Sequence, residues 1–97
     1  MGNLTINDNT FLRQYESEVG EDLAKIEYAL QDRKIFLTKL IIPSSNNDSS
    51  LEETFIREVF EIIKEKNIRI MPTSPEIRKF IKKNREFKDL LPIGVRL

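Results

Sequence analysis

The sequence predicts an α+β fold: a mixed, mostly antiparallel sheet with two helices, in the order β-β-β-α-β-α. Two observations carry this prediction. Residues 23–30 and 34–43 follow the patterns of β-strands, whereas residues 51–66 and 75–84 place apolar residues three and four apart, as amphipathic helices do. The length of 97 residues suits one compact domain, which we expect over residues 1–97.

Three strands are predicted before the first helix. The segment "TFLRQYESE", residues 10–18, has enough apolar and aromatic residues for the first strand, and Gly20 marks the following turn. In residues 23–30, apolar side chains alternate with mostly polar ones, the period-two pattern of a half-buried strand. After the turn "QDRK", residues 34–43 are largely apolar on both faces, which predicts a central strand. Short connections predict an antiparallel meander.

The first helix is predicted over residues 51–66. Ser50 and Glu53 match the capping-box pattern, and Lys64 and Lys66 suit the helix C-terminus. The short strand "IRIM" follows and, because a helix crossover precedes it, we expect it to run parallel to the strand at 34–43.

A second helix is predicted to begin with Ser74 as N-cap and Pro75 at its first position. Ile77, Phe80 and Ile81 form its apolar stripe. The tail "REFKDLLPIGVRL" offers apolar residues that pack back on the core, although Pro92 and Gly94 disfavour a long regular element there.

Composition excludes several kinds of site. The chain has no cysteine and no histidine, which excludes disulfides, thiolate nucleophiles, Cys/His metal sites and histidine as general base. The formal net charge is zero, but residues from Lys64 onward hold ten Lys/Arg against four Asp/Glu. A basic C-terminal third suits phosphate groups, whether of a nucleotide cofactor or of a nucleic acid.

Four segments resemble a known family: "AKIEY" at 24–28, "FLTKLIIP" at 36–43, the helix at 51–66 and, above all, "IRIMPTSPEIRKFIKKNREFKDLL" at 68–91. They are similar to the short, single-domain branch of the GNAT superfamily of acetyl-CoA-dependent N-acetyltransferases, over about residues 11–91. The resemblance implies a GNAT-like (acyl-CoA N-acyltransferase) fold. It also implies a protein that transfers acetyl from acetyl-CoA to an amine.

The resemblance also implies where acetyl-CoA binds. In this family a strand edge pairs with pantetheine, and the pyrophosphate lies over the next helix N-terminus, where backbone amides and the helix dipole favour anions. Matched by position, the strand residues are Leu40, Ile41 and Ile42, and the phosphate-loop residues are Asn47, Asp48, Ser49 and Ser50. Lys79, Lys82 and Lys83 are candidates for the adenosine 3′-phosphate, and Ser74 is the candidate catalytic residue, also near the cofactor.

The sequence departs from the family at chemically important positions. The Gly-x-Gly loop is replaced by residues 47–50, and Asp48 brings a carboxylate near the pyrophosphate. At about 4–5 Å and an effective dielectric constant near 20, such a pair repels by about 3–4 kcal/mol. The family's Pro-x-Cys becomes Pro72-Thr73-Ser74, and its His-Thr becomes Lys39-Leu40.

Local patterns leave structural alternatives open. Residues 44–50 also suit a polar loop before a capped helix, Ser74 suits an N-cap, and the three lysines suit a solvated helix face. Tyr28, Glu27 and Glu86 are available proton donors or acceptors, and none of them is assigned as base.

Two further functions compete with acetyl transfer. One is a catalytically degenerate GNAT-like binding or regulatory module that contacts a protein partner through its basic end and the tail "LLPIGVRL". The other, nucleic-acid binding, lacks aromatic residues interleaved with the basic ones, so we expect no nucleic-acid partner. No apolar stretch approaches the roughly 20 residues that span a bilayer, and the first residues do not match a secretory signal. We therefore expect no membrane partner and a cytoplasmic location.

Overall fold

The computed structural model describes residues 4–43 and 49–95, which contain one five-stranded sheet in the order β1-β2-β3-β4-β5. The strands are β1 (Asn7–Asn9), β2 (Gln14–Val19), β3 (Asp22–Gln31), β4 (Lys34–Ile41) and β5 (Arg69–Pro72). The helices are α1 (Ser49–Glu65), α2 (Pro75–Lys83) and a 3₁₀ helix (Arg85–Leu90). β1 to β4 pair antiparallel, and β4 pairs parallel with β5. The predicted α+β class is confirmed, as is the parallel pairing after the helix crossover.

The N-terminal region differs from the prediction of a strand over residues 10–18. A short strand, β1, precedes it, and the chain reverses at residues 10–13 before β2 begins at Gln14. The Leu12 N–H donates to Asn9 Oδ1 at 3.0 Å, and Arg13 has a φ of 58°. These features turn the chain, and they leave Phe11 91% exposed. Phe11 therefore lies in a turn and not in the predicted strand.

Both predicted hairpin turns are present. β2 and β3 are joined by Gly20 and Glu21, and Gly20 has the positive φ of 65° that a tight turn requires. β3 and β4 are joined by Asp32 and Arg33, with φ values of 50° and 63°. Positive φ at both central residues is typical of a type I′ turn, whose twist matches that of the flanking strands.

The core lies on one face of the sheet. Ala24, Ile26 and Tyr28 of β3 are buried, whereas the intervening Lys25 and Glu27 are only half-buried. β4 takes the predicted central position between β3 and β5, but only Ile35 and Leu37 of its residues are buried. The predicted central position of this strand is confirmed, although its remaining residues are half-buried or exposed.

Both helices pack on the buried face and against each other. Phe60 of α1 meets Phe80 of α2 and Phe87 of the 3₁₀ helix edge to face, with ring centroids 5.4 and 5.2 Å apart. Such edge-to-face pairs add about 0.5–1.5 kcal/mol each beyond the area that they bury. This aromatic cluster joins α1, α2 and the 3₁₀ helix.

α1 begins at Ser49, one residue before the predicted N-cap Ser50. Ser50 therefore lies in the first turn of α1. Glu53, its expected partner, lies 3.0 Å from Lys83 of α2. The second helix begins as predicted: Ser74 is the N-cap and Pro75 the first helical residue.

Candidate functional site

β4 and β5 separate at Leu37, the last residue of β4 that pairs with β5. β4 continues to Ile41 and pairs with β3 through Ile26↔Leu40 and Lys25↔Ile41. Within residues 4–43 and 49–95, no strand pairs with the other edge of β4 beyond Leu37. We call the gap beside this free edge the split.

The split is closed at Leu37, where β4 and β5 still pair, and we call this its closed end. Three hydrogen bonds to Leu37 stabilise it. The Leu37 carbonyl oxygen accepts from the N–H of Thr73 at 3.2 Å and from the N–H of Ser74 at 3.0 Å. It also accepts from Thr73 Oγ1 at 3.0 Å. These bonds lie where the chain leaves β5 and enters α2.

A β-bulge bends β4 at the same point. The register with β3 shifts between Glu27 and Tyr28, whose partners are Lys39 and Leu37, so Thr38 is the extra residue. Thr38 Oγ1 donates to the Glu27 carbonyl oxygen at 3.2 Å. Bulges bend a strand and increase its twist. This bulge lies directly after Leu37, where the pairing of β4 with β5 ends. Thr38 and Thr73 were not predicted from the sequence, although both are polar residues next to apolar strand positions.

The three predicted pantetheine residues line the free edge of β4 or follow it directly. Leu40, Ile41 and Ile42 are half-buried, and the side chains of Leu40 and Ile42 pack against the core. The side chains of Leu40 and Ile42 therefore serve packing, and along the free edge it is the backbone of β4 that lacks a partner strand.

The predicted phosphate loop falls largely in a part of the chain that is not described. Asn47 and Asp48 lie outside the described residues, so their proposed role stays a prediction. Ser49 is the first residue of α1, and Ser50 is exposed in its first turn. The helix N-terminus thus follows β4 in the chain, as the phosphate-site hypothesis requires.

α2 begins directly at the closed end of the split. It starts at Ser74, which is bonded to Leu37, and ends near α1, where Lys83 Nζ lies 3.0 Å from Glu53. Glu53 is four residues into α1, about 6 Å along its axis. Lys83 therefore lies close to the N-terminus of α1. Lys79 and Lys82 are also exposed on α2.

Ser74 is nearly fully buried at the closed end of the split, with 1% exposure. Its hydroxyl donates to Glu76 Oε1 at 2.8 Å and accepts from the Ile77 N–H at 3.5 Å. The hydrogen bond from Ser74, followed by the backbone of Glu76 itself, lowers the pKa of the exposed Glu76 carboxyl group. The hydroxyl proton of Ser74 is thus used in a hydrogen bond to the Glu76 carboxylate.

Two of the proton-transfer candidates are held in structural contacts. The Tyr28 hydroxyl donates to Asp8 Oδ1 at 2.6 Å, and Asp8 Oδ2 lies 3.5 Å from Lys66. Burial, and then this hydrogen bond, raise the pKa of Tyr28 well above its ordinary value. Glu86 pairs with Arg57 at 3.0 Å, and Glu27 lies half-buried on the sheet face opposite the core.

Two classes of feature are absent from the described residues. Among them no three carboxylates come together in a way that suits a metal ion. Nor is any helix in these ranges long and apolar enough to cross a membrane.

A sheet that splits beside the N-terminus of a crossover helix defines a class of acyltransferase-like folds, and comparison with known proteins agrees. The model of the GCN5-related N-acetyltransferase family matches residues 14–90. The chain therefore belongs to the GCN5-related N-acetyltransferase (GNAT) family, and its function is N-acetyltransferase-like.

The fold is similar to a solution NMR structure from Staphylococcus aureus, of a protein provisionally named a GCN5-like N-acetyltransferase. The TM-score is 0.72 at 19% sequence identity, and the match covers 99% of this chain and 94% of the other. At this identity the likeness concerns the fold. No match is found among curated proteins.

Proposed function

We propose that the chain binds acetyl-CoA along the free edge of β4 and transfers its acetyl group to an amine. The observation that carries this proposal is the separation of β4 and β5 at Leu37. It leaves the backbone amide and carbonyl groups of residues 38–41 beside a gap, where an extended ligand with amide groups, such as pantetheine, pairs as an added strand would.

The phosphate end of acetyl-CoA fits the opposite end of the split. The N-terminus of α1 offers backbone N–H groups and the positive end of the helix dipole, and Lys83 lies beside its first turns. The sequence places Asp48 in the same region, and its carboxylate weakens phosphate binding. We therefore expect binding that is weaker than a glycine-rich loop would give.

The chain's contribution to the reaction is chiefly positional. Acetyl-CoA supplies an acetyl thioester that amines attack, and β4 and α2 hold that group at the closed end of the split, where an amine approaches it. Tyr28 and Glu86 are held by Asp8 and Arg57, so we assign neither as general base. The acceptor loses its proton to solvent in this scheme.

A second candidate function is supported by Ser74. Its side chain is buried, and its hydroxyl is bonded to Glu76, which fits a helix cap. If Ser74 serves only as a helix cap, the protein is a binding module. It then binds acetyl-CoA or a protein partner but transfers no acetyl group.

Release of CoA separates the two functions cleanly, because the chain has no cysteine. A thiol-reactive dye therefore reports only the thiol of released CoA. The protein is incubated with acetyl-CoA and a panel of primary amines, with acceptor-free and protein-free controls, while calorimetry measures binding of acetyl-CoA. Amine-dependent release, with acetylated amine seen by mass spectrometry, supports acetyl transfer. Binding without release supports a module that binds acetyl-CoA. No heat at millimolar acetyl-CoA contradicts acetyl transfer and acetyl-CoA binding alike, and it leaves a protein partner as the ligand of the second function.

A further inference from the structure

The exposed residues of α2 change charge along the helix. Glu76, Lys79 and Lys83 follow one another at spacings of three and four, so they share one side of the helix. Lys83, at the far end, lies beside the N-terminal turns of α1, where the phosphates are proposed to bind. Glu76, at the near end, is bonded to Ser74, whose N–H is bonded to Leu37 at the closed end of the split. The anionic residue is thus at the end of the split where the acetyl group is placed.

The Glu76 carboxylate is hydrogen-bonded to the N-cap of its own helix. Ser74 Oγ donates to its Oε1 at 2.8 Å, and the Ser74 N–H is itself bonded to the Leu37 carbonyl oxygen at 3.0 Å. Two hydrogen bonds therefore connect the carboxylate to the residue at which β4 and β5 separate. Glu76 is exposed whereas Ser74 is buried, so of this pair it is Glu76 that a ligand reaches.

Glu76 stays ionised at neutral pH. The hydrogen bond from Ser74, the backbone of Glu76 and the charge of Lys79 all favour the carboxylate and lower its pKa. A carboxylate with a lowered pKa is a weak proton acceptor, which disfavours a role as general base. It is well suited to attract a cation, although Lys79, one turn away, offsets part of that attraction.

We propose that Glu76 binds the ammonium group of the acceptor at the closed end of the split, so that the protein selects cationic amines. This inference rests on the proposed acetyl transfer for its functional meaning, but the binding step is separate from it. The competing explanation is that Glu76 only stabilises α2, because an acidic residue in a first helical turn interacts favourably with the helix dipole.

The kinetic test compares Glu76→Gln with Glu65→Gln, which removes the same charge from an exposed position at the end of α1. Two acceptors are used at neutral pH: an alkylamine, which is cationic, and aniline, which is uncharged. For Glu76→Gln we expect the KM for the alkylamine to rise about two- to fivefold, as for loss of a partly exposed ion pair. The kcat, the KM for aniline and the Kd of acetyl-CoA change less than twofold. Equal changes for both amines, or none, overturn the inference.

A binding test does not depend on turnover. In ¹H–¹⁵N NMR spectra, an alkylammonium chloride is titrated into each protein with acetyl-CoA present. We expect the amides of residues 73–77 to shift in the wild type and in Glu65→Gln, and these shifts to be at least threefold smaller in Glu76→Gln. If the wild type transfers acetyl groups but shows no such shifts, the inference about Glu76 is wrong and the proposed function stands. If the shifts occur without CoA release, Glu76 binds the cation and acetyl transfer fails. Thermal unfolding of each variant checks that α2 remains folded.

Discussion

Arg57 connects α1 to the segment that follows α2, and its removal is expected to destabilise the fold. The guanidinium group donates to Asn84 Oδ1 and to Glu86 Oε2, each at 3.0 Å. It also lies over the rings of Phe80 and Phe87, 5.7 and 5.3 Å from their centroids. One side chain thus links the polar and aromatic contacts between α1, α2 and the 3₁₀ helix.

The expected magnitude follows from these contacts. A charge-assisted hydrogen bond to Asn84 contributes about 1.5 kcal/mol, the two cation–π contacts about 0.5–1 kcal/mol each, and the exposed pair with Glu86 below about 1 kcal/mol. Ordering an arginine side chain costs up to about 2 kcal/mol. We therefore expect Arg57→Ala to lower the free energy of unfolding by about 1–2 kcal/mol, and Tm by about 5–15 °C.

Urea and thermal unfolding followed by circular dichroism measure this change. Arg78→Ala, at an exposed position of α2, is the matched control and is expected to change stability by less than about 0.5 kcal/mol. Arg57→Lys keeps the charge but loses the planar fork, so it is expected to recover less than half of the loss. Equal effects of Arg57→Ala and Arg78→Ala, or a fully stable Arg57→Lys variant, would refute this reasoning.

Three further predictions concern the tyrosines and the cofactor site. In the folded chain the pKa of Tyr15 is raised from the ordinary 10.0 to about 12, and that of Tyr28 is raised further. The unfolded chain therefore loses these protons at lower pH than the folded chain does. We expect the free energy of unfolding to fall as pH rises above about 10. Because the chain has two tyrosines and no tryptophan, absorbance at alkaline pH reads them directly; ionisation of both near pH 10 in the folded protein would contradict this. Lys83→Gln is expected to weaken acetyl-CoA binding about three- to tenfold in calorimetry, mainly at low salt, and an unchanged Kd would remove Lys83 from the phosphate site. Asp48→Asn is expected to strengthen binding of acetyl-CoA tenfold or more, and weaker or equal binding would show that Asp48 does not face the phosphates.

Much of the fold follows from local patterns in the sequence. The alternation through Ala24, Ile26 and Tyr28 predicted β3, and the Ser74-Pro75 pair predicted the start of α2, because both signals depend on neighbouring residues alone. The aromatic cluster of Phe60, Phe80 and Phe87 was predictable only as separate apolar positions, since its partners are distant in sequence.

The features that shape the split were not predictable from the sequence. The bulge at Thr38 depends on the register between β3 and β4, and a register shift leaves no local composition signal. Phe11 and Leu12 gave an apolar segment the appearance of a strand, although the chain turns there and exposes them. Likewise, Glu76 was not among the residues predicted from the sequence, because its hydrogen bond from Ser74 is seen only in the structure.

The central claim is that acetyl-CoA binds along the free edge of β4, and amide NMR mapping of acetyl-CoA binding tests it most directly. We expect the largest chemical-shift changes at the backbone amides of residues 38–42, at the first turn of α1 and at Thr73 and Ser74, with saturation in the micromolar to low millimolar range. Unchanged spectra at several millimolar acetyl-CoA, or changes confined to β1 and β2, would contradict the account.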